Sequence, residues 1–344
     1  MQKHILFTFD HELFLGQRSG TAENCMLSPG NRLRELFRRF GLKNAIFFVD
    51  TTYLMALREQ AQAHQRARAD WALLQDQLRS FEAEGHYVFP HIHPHWLDAA
   101  YNETTNQWAL NNLEKYRFHA LSKAEKTKVF EGSIQILKDI LGAEARSVKE
   151  VGFRAGGWCI QPFSDFRPCF EAHRIRYEFS VLRGFRQFTN AQFIDFMEVP
   201  EKEIYQFSDN VVQEDPEGPF TQITISGLEI PKGVQLSNRV LEKIHWKLNI
   251  RSLGDGQGVI PKAVAGPNGK TSSSLPNRER MAIELMNAVK LPLYKKYLAN
   301  NKFLHFISHP KMLSAHHFKI FERFLNHLTS NYEVETDFKQ MLPS

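Results

Sequence analysis

The alternation of short apolar runs with helical segments is the feature that most constrains the fold. Residues 4–10 (HILFTFD) are mostly apolar and end on an acid, and residues 44–50 (NAIFFVD) form a continuous apolar run. Such a run is typical of a strand that is buried on both faces. Residues 29–31 (PGN) open a helix pattern between the two. This order predicts parallel strands joined by helical crossovers, and hence an α/β fold.

The same rhythm continues along most of the chain. Ser122 and Glu125 predict a capping box at the start of an amphipathic helix. Roughly six or seven strand-helix units favour a barrel over an open sheet. The remaining predicted strands are 87–90, 150–154, 178–182, 303–308 and 332–336, and the remaining helices are 54–84 (one long or broken), 162–173, 314–328 and a short tail at 337–342.

The rhythm breaks between about residues 183 and 275. The stretches GDGQG (254–258) and GPNGKTSSSLPN (266–277) are rich in turn-forming residues. With 344 residues and 42% hydrophobic content, the chain suits a single domain, 1–344, that carries a loop-rich insertion at 183–300.

Composition excludes several classes of protein. No run of about 18 apolar residues occurs, so no membrane span is predicted, and the N-terminal residues do not resemble a secretion signal. The three cysteines, odd in number and without a CxxC pair, indicate a reducing cytoplasm. Lys and Arg give a net charge of +5 but are scattered, which favours anionic small molecules over nucleic acid.

Ionisable residues follow the predicted strands at the point where each strand ends. Asp10 and Glu12 follow the first strand, Arg154 ends a later one and His309 follows a late one. The carboxyl ends of parallel barrel strands meet at one face, and the loops of that face build the active site. The placement therefore predicts a common site.

The segment GHYVFPHIHPHW (85–96) contributes histidines to this site. His91 and His95 are four apart, so they share a face if the chain starts a helical turn there. Two imidazoles at this spacing can bind one cation. On the same reasoning His93 points to the other side and His86 precedes the strand, and both are interpreted as scaffold.

The acids of TFDHE strengthen the metal interpretation. A lone histidine pair is more simply explained by packing, but Asp10 and Glu12 are two apart and lie on the same side of an extended strand end. One carboxylate can bind the metal as a third ligand while the other serves as a base.

Four motifs resemble a known family when they are taken in order. FTFDHE, GHYVFPHIHPH, GFRAGGW and FISHP are similar to the motifs of the polysaccharide deacetylase family, which has the NodB-homology fold and is grouped with carbohydrate esterase family 4. The resemblance covers residues of about 1–185 and 300–340. It implies a distorted (β/α)7 barrel and a divalent metal, usually zinc, with cobalt or nickel as alternatives.

The resemblance also implies roles for individual residues. Asp10 matches the catalytic base, and Arg154 matches the arginine that orients it. His91 and His95 match the two metal-binding histidines. His309 matches the general acid that protonates the leaving amine.

The chain departs from the family pattern at two motifs. His11 stands where the family has its second aspartate, the usual third metal ligand. A D-x-E pattern makes Glu12 the preferred ligand, with His11 as the alternative. The third motif lacks its proline, so Gly156, Gly157 and Trp158 are expected to shape the substrate groove.

The expected reaction is hydrolysis of an N-acetyl group on an amino sugar. A cytoplasmic enzyme would act on a precursor in surface-polysaccharide assembly, such as a nucleotide-linked or lipid-linked N-acetyl sugar. Two alternatives remain open at this point. One is another hydrolase of non-peptide C–N bonds, such as a deformylase or a cyclic imide hydrolase, and the other is a catalytically silent carbohydrate-binding protein.

Overall fold

Strands and helices alternate through most of the chain, as the sequence pattern predicts. The structure is a computed structural model, and it describes residues 2–16, 18–110, 114–248, 250–259, 261–274 and 277–342. Residues 275 and 276 of the predicted loop 266–277 lie outside the described residues.

The strands are β1 (Gln2–His11), β2 (Ile46–Asp50), β3 (Tyr87–Ile92), β4 (Ala100–Asn102), β5 (Gln107–Ala109), β6 (Gly152–Ala155), β7 (Tyr177–Glu178), β8 (Phe185–Phe188), β9 (Phe193–Asp195), β10 (Ile204–Phe207), β11 (Phe220–Ile223), β12 (Gly227–Glu229), β13 (Ser273–Ser274), β14 (Arg278–Arg280), β15 (Phe303–Ser308) and β16 (Glu333–Glu335). The α-helices are α1 (Ser28–Arg39), α2 (Thr51–Gln60), α3 (Gln65–Ala83), α4 (Lys123–Leu141), α5 (Arg146–Lys149), α6 (Arg167–Ala172), α7 (Lys232–Lys247), α8 (Leu291–Asn300) and α9 (Ala315–Asn331).

The main sheet has the strand order β10-β11-β7-β6-β3-β2-β1-β15, with β16 also paired to β1. All its pairs are parallel except β10 with β11 at one edge. Consecutive parallel strands need crossovers, and α1, α2 with α3, and α4 lie between β1, β2, β3 and β6 in the chain.

The sheet curls until its two ends meet. Beyond β11, the Ile225 amide donates to the Val181 carbonyl at 2.8 Å, and the Ser226 amide donates to the His305 carbonyl at 3.1 Å. The His305 amide in turn donates to Ser226 Oγ at 2.9 Å. These bonds join the β7–β11 side to β15 and make a distorted barrel. The finer assignment to the (β/α)7 type stays a prediction.

Alternate residues of β2 pack into two different layers. Phe47 stacks on Phe81 of α3 with ring centroids 3.8 Å apart, on the helix side of the sheet. Phe48 points into the barrel, where it packs against Phe89 and lies 4.2 Å from the Arg154 guanidinium. Full burial of each ring contributes about 1.5–3 kcal/mol, which explains why the run is apolar at every position.

Two predicted helical features are refined by the structure. The capping box of Ser122 and Glu125 is confirmed at the start of α4. The helical segment 54–84 is broken into α2 and α3.

The loop-rich stretch predicted at 183–275 also contains regular structure that the sequence pattern missed. β10 and β11 belong to the main sheet, and α7 is a long helix. The strands have only four residues each, too few for a periodic pattern to separate them from loops.

The structure bears on the predictions made from the cysteines and from the absence of a long apolar run. Cys25, Cys159 and Cys169 are buried and unpaired. Within the described part of the chain, no helix has the length and apolar character needed to cross a bilayer.

Candidate active site

The predicted site residues lie together at the carboxyl ends of the parallel strands. Asp10 and His91 are the last or nearly last residues of β1 and β3, Glu12 follows β1, and His309 follows β15. These four side chains line a pocket of about 420 Å³. Arg154, in β6, lies beneath it and is fully buried.

Three ligand atoms converge at one point on the pocket floor. Glu12 Oε2 lies 2.7 Å from His93 Nε2 and 3.4 Å from His91 Nε2, and the two Nε2 atoms are 3.0 Å apart. His91 Nδ1 donates to the Arg154 carbonyl at 2.8 Å, which leaves a lone pair on its Nε2. Glu12 Oε2 receives no well-directed hydrogen bond from the described residues. These donors fit a divalent cation such as zinc, and the outward bond of His91 is the usual support of a metal-binding imidazole.

The predicted pairing of His91 with His95 across a helical turn is wrong in its geometry. β3 continues through Ile92, and His93 keeps an extended backbone (φ −116°, ψ 90°). Residues two apart on an extended chain point to the same side, so His93 joins His91. His95 lies in the following 3₁₀ turn and stacks on Tyr116. Neither of its ring nitrogens has a partner among the described residues, and burial holds its pKa well below the ordinary value.

His11, the alternative third ligand, faces away from the site. Its Nε2 lies 2.9 Å from Gln77 Oε1, and its ring packs edge-on against Phe47 and Phe81. Adjacent residues of a strand point to opposite faces, which places His11 among the helices and leaves Glu12 in the donor set. Burial lowers the pKa of His11 to about 4, so this imidazole is neutral at pH 7.

Lys311 holds the second oxygen of Glu12, a contact that sequence reasoning missed. Its Nζ donates to Glu12 Oε1 at 2.9 Å and to the Leu13 carbonyl at 2.6 Å. Burial alone would raise the pKa of Glu12, but Lys311 and His93 hold it well below its usual range. Lys311 lies in the 3₁₀ turn Pro310–Met312 directly after His309, so its closeness to His309 in the sequence was the available signal.

The three residues expected to shape the groove divide into two kinds. Gly157 and Trp158 line the pocket. Gly156 lies behind His93, because a Cβ at this position would come within 2.2 Å of the Ile92 carbonyl oxygen and 2.8 Å of His93 Nδ1. Its missing side chain makes room for the imidazole.

Asp10 is held by the arginine inside the barrel. Arg154 Nη1 donates to Asp10 Oδ1 at 2.7 Å, and Nη2 donates to Thr8 Oγ1 at 2.8 Å. Burial alone would raise the pKa of Asp10, but Arg154 and His91 outweigh it and the pKa is lowered. The carboxylate therefore stays ionised, with Oδ1 bound by Arg154 and Oδ2 beside His91 and His309.

His309 lies between two carboxylates. Its Nε2 is 3.4 Å from Asp10 Oδ2, and its Nδ1 is 2.9 Å from Glu284 Oε1. Glu284 also accepts from Arg280 Nη2 at 3.1 Å. Burial opposes ionisation of Glu284, but His309 and Arg280 lower its pKa to about 2. Sequence reasoning missed Glu284 because the segment RERMAIEL (278–285) has no clear strand or helix period.

No family model matches the chain, and no curated protein matches it. Among solved structures, the chain is similar to a GH57-type branching enzyme from the hyperthermophilic archaeon Pyrococcus horikoshii. The TM-score is 0.50 at 10% identity, over 100% of this chain and 71% of the other. At this identity the likeness concerns the fold alone.

Two deacetylase structures align over nearly the whole chain at lower scores. One is a protein proposed to be a polysaccharide deacetylase from Mycobacterium smegmatis, with 13% identity and a TM-score of 0.45 over 98% of this chain and 88% of the other. The second is the catalytic domain of a peptidoglycan N-acetylglucosamine deacetylase from Eubacterium rectale, with 11% identity and a TM-score of 0.36 over 97% and 88%. Because neither score decides the fold or the activity, the functional argument rests on the site.

Proposed function

We propose that the protein is a metal-dependent hydrolase that removes an N-acetyl group from an amino sugar. The observation that carries the proposal is the donor set Glu12, His91 and His93 beside the ionised Asp10, whose Oδ2 lies 3.9 Å from His91 Nε2. A divalent cation bound there, with zinc expected and cobalt or nickel as alternatives, would polarise the acyl carbonyl and lower the pKa of a water molecule.

The chain's own groups move the protons. Asp10 Oδ2 accepts the proton of the attacking water, because Oδ1 is occupied by Arg154. His309 Nε2 donates a proton to the nitrogen that departs as the C–N bond breaks. The Glu284 carboxylate at Nδ1 orients the imidazole and stabilises its protonated form.

The pocket suits a sugar. Its volume of about 420 Å³ falls within the range of small-molecule sites. Trp158 and Tyr116 present aromatic surface to it, and such rings pack on the apolar faces of sugars. We expect a nucleotide-linked or lipid-linked N-acetyl sugar from surface-polysaccharide assembly as substrate. The unpaired cysteines support a reducing, cytoplasmic location and the motif order supports a NodB-type (β/α)7 barrel in a single domain.

The test is acetate release by the purified protein with zinc, cobalt or nickel supplied. Substrates would be N-acetylglucosamine, its 1-phosphate, its uridine diphosphate ester and short chitooligosaccharides. Release that requires the metal and disappears in Asp10→Asn supports the proposal.

Other outcomes separate the alternatives. Turnover of N-formyl sugars or cyclic imides without acetate release would indicate a different C–N hydrolase. Elemental analysis that finds no stoichiometric metal, together with sugar binding and no turnover, would indicate a carbohydrate-binding protein.

A further inference from the structure

Arg183, Arg278 and Arg280 lie together on the rim of the same pocket, and we refer to them as the arginine rim. Arg278 and Arg280 are two apart on β14, which pairs antiparallel with β12. Their side chains therefore share one face of that ribbon. Arg183 comes from the loop after β7 and lies close enough to Arg278 to lower its pKa.

The arginine rim has more positive charge than its neighbours neutralise. Arg183 pairs at 3.0 Å with Glu201, whose side chain is 92% exposed, so this contact is well screened. Arg280 shares the carboxylate of Glu284 with His309. Arg278 forms no ion pair with the described residues. The neighbouring Glu279 pairs instead with Lys290 at 2.8 Å.

Two donors of the rim are buried and unused. The Nε atoms of Arg278 and Arg280 have no hydrogen-bond partner within the described part of the chain. Burial, and then the nearby Arg183, lower the pKa of Arg278, while Tyr297, Glu229 and Glu201 act in the opposite direction without forming an ion pair with it. Buried N–H groups without partners are costly, so an acceptor brought by a bound anion would be stabilising here.

The position of Arg278 depends on a glycine. A Cβ at residue 227 would lie 2.2 Å from Arg278 Nε, so only glycine lets the guanidinium rest against the β12 backbone. A side chain at residue 227 would therefore displace the Arg278 guanidinium from its present position.

The rim lies on the side of the pocket where the sugar should bind. Arg280, Glu284 and His309 form a chain of contacts at 3.1 and 2.9 Å. If His309 protonates the departing amine, the amino sugar lies next to this chain and the acetyl group lies toward the floor. A substituent on the sugar would then reach the arginines.

We infer that Arg183, Arg278 and Arg280 form an anion subsite that binds a phosphate or diphosphate ester on the amino-sugar substrate. Guanidinium groups match phosphate oxygens in geometry and in charge. The orientation of the substrate rests on the proposed deacetylation, but the binding of phosphate by the rim does not.

Binding is measured first, by calorimetry on protein freed of metal with a chelator, so that phosphate cannot bind a metal directly. The probes are inorganic pyrophosphate, N-acetylglucosamine 1-phosphate and neutral N-acetylglucosamine. We expect Arg278→Gln to weaken binding of the two phosphates about 10- to 100-fold, the loss of a charged hydrogen bond, and to leave the neutral sugar unchanged. Arg278→Lys should restore part of the affinity. Arg58→Gln, at an exposed ion pair with Asp139, is the matched control.

Kinetics on the metal-loaded enzyme then separate the two proposals. Arg278→Gln should raise KM about 10- to 100-fold for phosphorylated substrates only, with kcat unchanged. The sugar 1-phosphate, the uridine diphosphate sugar and a short-chain polyprenyl diphosphate sugar distinguish the sources of phosphate. If phosphate binding depends on Arg278 but no acetate is released, the proposed anion subsite is supported and the proposed deacetylase activity is wrong.

The converse result would overturn the subsite alone. This would be acetate release with equal KM for neutral and phosphorylated sugars, or equal losses for both in Arg278→Gln. If Arg278→Gln does not fold, competition decides the matter in the wild-type protein. Pyrophosphate should displace the sugar phosphate from metal-free protein, and failure to do so counts against the rim.

Discussion

The floor of the pocket, formed by Asp10, Glu12, His91 and His93, and the arginine rim are built in different ways. The floor residues sit at the ends of paired parallel strands, where Asp10 is in register with Phe48 and His91 with Arg154. The residues of the arginine rim come from the loop after β7 and from the two-stranded ribbon of β12 and β14. The main sheet therefore positions the floor, whereas a loop and a separate small ribbon position the rim.

The charges of the two regions differ accordingly. On the floor, Asp10 is paired with Arg154 and one oxygen of Glu12 with Lys311, and all four are buried. On the rim, Arg278 lacks an anionic partner among the described residues. Paired, buried groups are suited to chemistry that needs fixed geometry, while unpaired groups at a rim are suited to binding. Floor substitutions should therefore lower kcat or metal affinity, and rim substitutions should raise KM.

The largest effect is expected from the base on the floor. Asp10→Asn preserves the shape of the side chain and removes the proton acceptor, so the rate of acetate release should fall about 10²–10⁴-fold. The metal should still bind. Steady-state kinetics with metal analysis check both points.

Glu178→Gln is the matched control for Asp10→Asn. Glu178 is also buried, but it lies outside the pocket, and burial raises its pKa to about 7. Its amide replacement should leave the rate of acetate release near that of the wild-type protein. Similar losses in both variants would mean that the Asp10 effect is structural.

The next largest effect concerns the support beneath the base. Arg154→Leu leaves the buried Asp10 carboxylate without its partner, and the free energy of unfolding should fall by about 3–5 kcal/mol. Arg58→Leu breaks an exposed pair with Asp139 and should cost about 1 kcal/mol or less. Urea denaturation of both variants at neutral pH makes the comparison. Equal losses of unfolding free energy in the two variants would show that burial does not determine how much an ion pair contributes to stability.

The floor was easier to predict from sequence than the rim, because strand ends leave a pattern. Asp10, Arg154 and His309 were found from such positions, and the structure brings them into contact. The choice between His93 and His95 failed because it depends on whether β3 ends at residue 90 or 92. A shift of two residues at a strand boundary decides which imidazoles share a side.

The rim could not be predicted in this way. Arg278 lies in the three-residue strand β14 and Glu284 lies in a short 3₁₀ turn. The positions of both follow from tertiary contacts, such as the packing of Gly227 against Arg278. β10 and β11 were missed for the related reason that four-residue strands have too little length to show a period. The region that sets substrate preference is thus the region that leaves the weakest local signal.

The pH dependence of stability should show the contribution of the Glu284 carboxylate, which contacts His309 and Arg280. The pKa of Glu284 in the folded protein is about 2, below its ordinary value of 4.5, so its contribution is present above about pH 4.5 and is lost as the pH falls toward 2. At neutral pH this contribution is on the order of 3 kcal/mol. The stability gap between wild type and Glu284→Gln should therefore shrink as the pH is lowered from about 6 to about 3.

Urea denaturation across this pH range gives the measurement. Glu322→Gln, which alters an exposed pair with Arg39, is the control and should keep a constant gap to the wild-type protein. A gap for Glu284→Gln that does not change with pH would mean that the His309–Glu284 contact is not an ion pair.

The last prediction compares two histidines of one segment, His93 and His95, as ligands of the metal. His93→Ala removes a proposed metal ligand, so zinc binding should weaken by at least about 100-fold, more than for the loss of an outer-shell partner. His95→Phe should keep both the metal and the stacking on Tyr116. Competition with a chromogenic chelator measures both affinities. The variants lie two residues apart in one segment, so general damage to that segment would affect both. Loss of zinc in His95→Phe with retention in His93→Ala would restore the helical pairing of His91 with His95 and would mean that metal binding rearranges the end of β3.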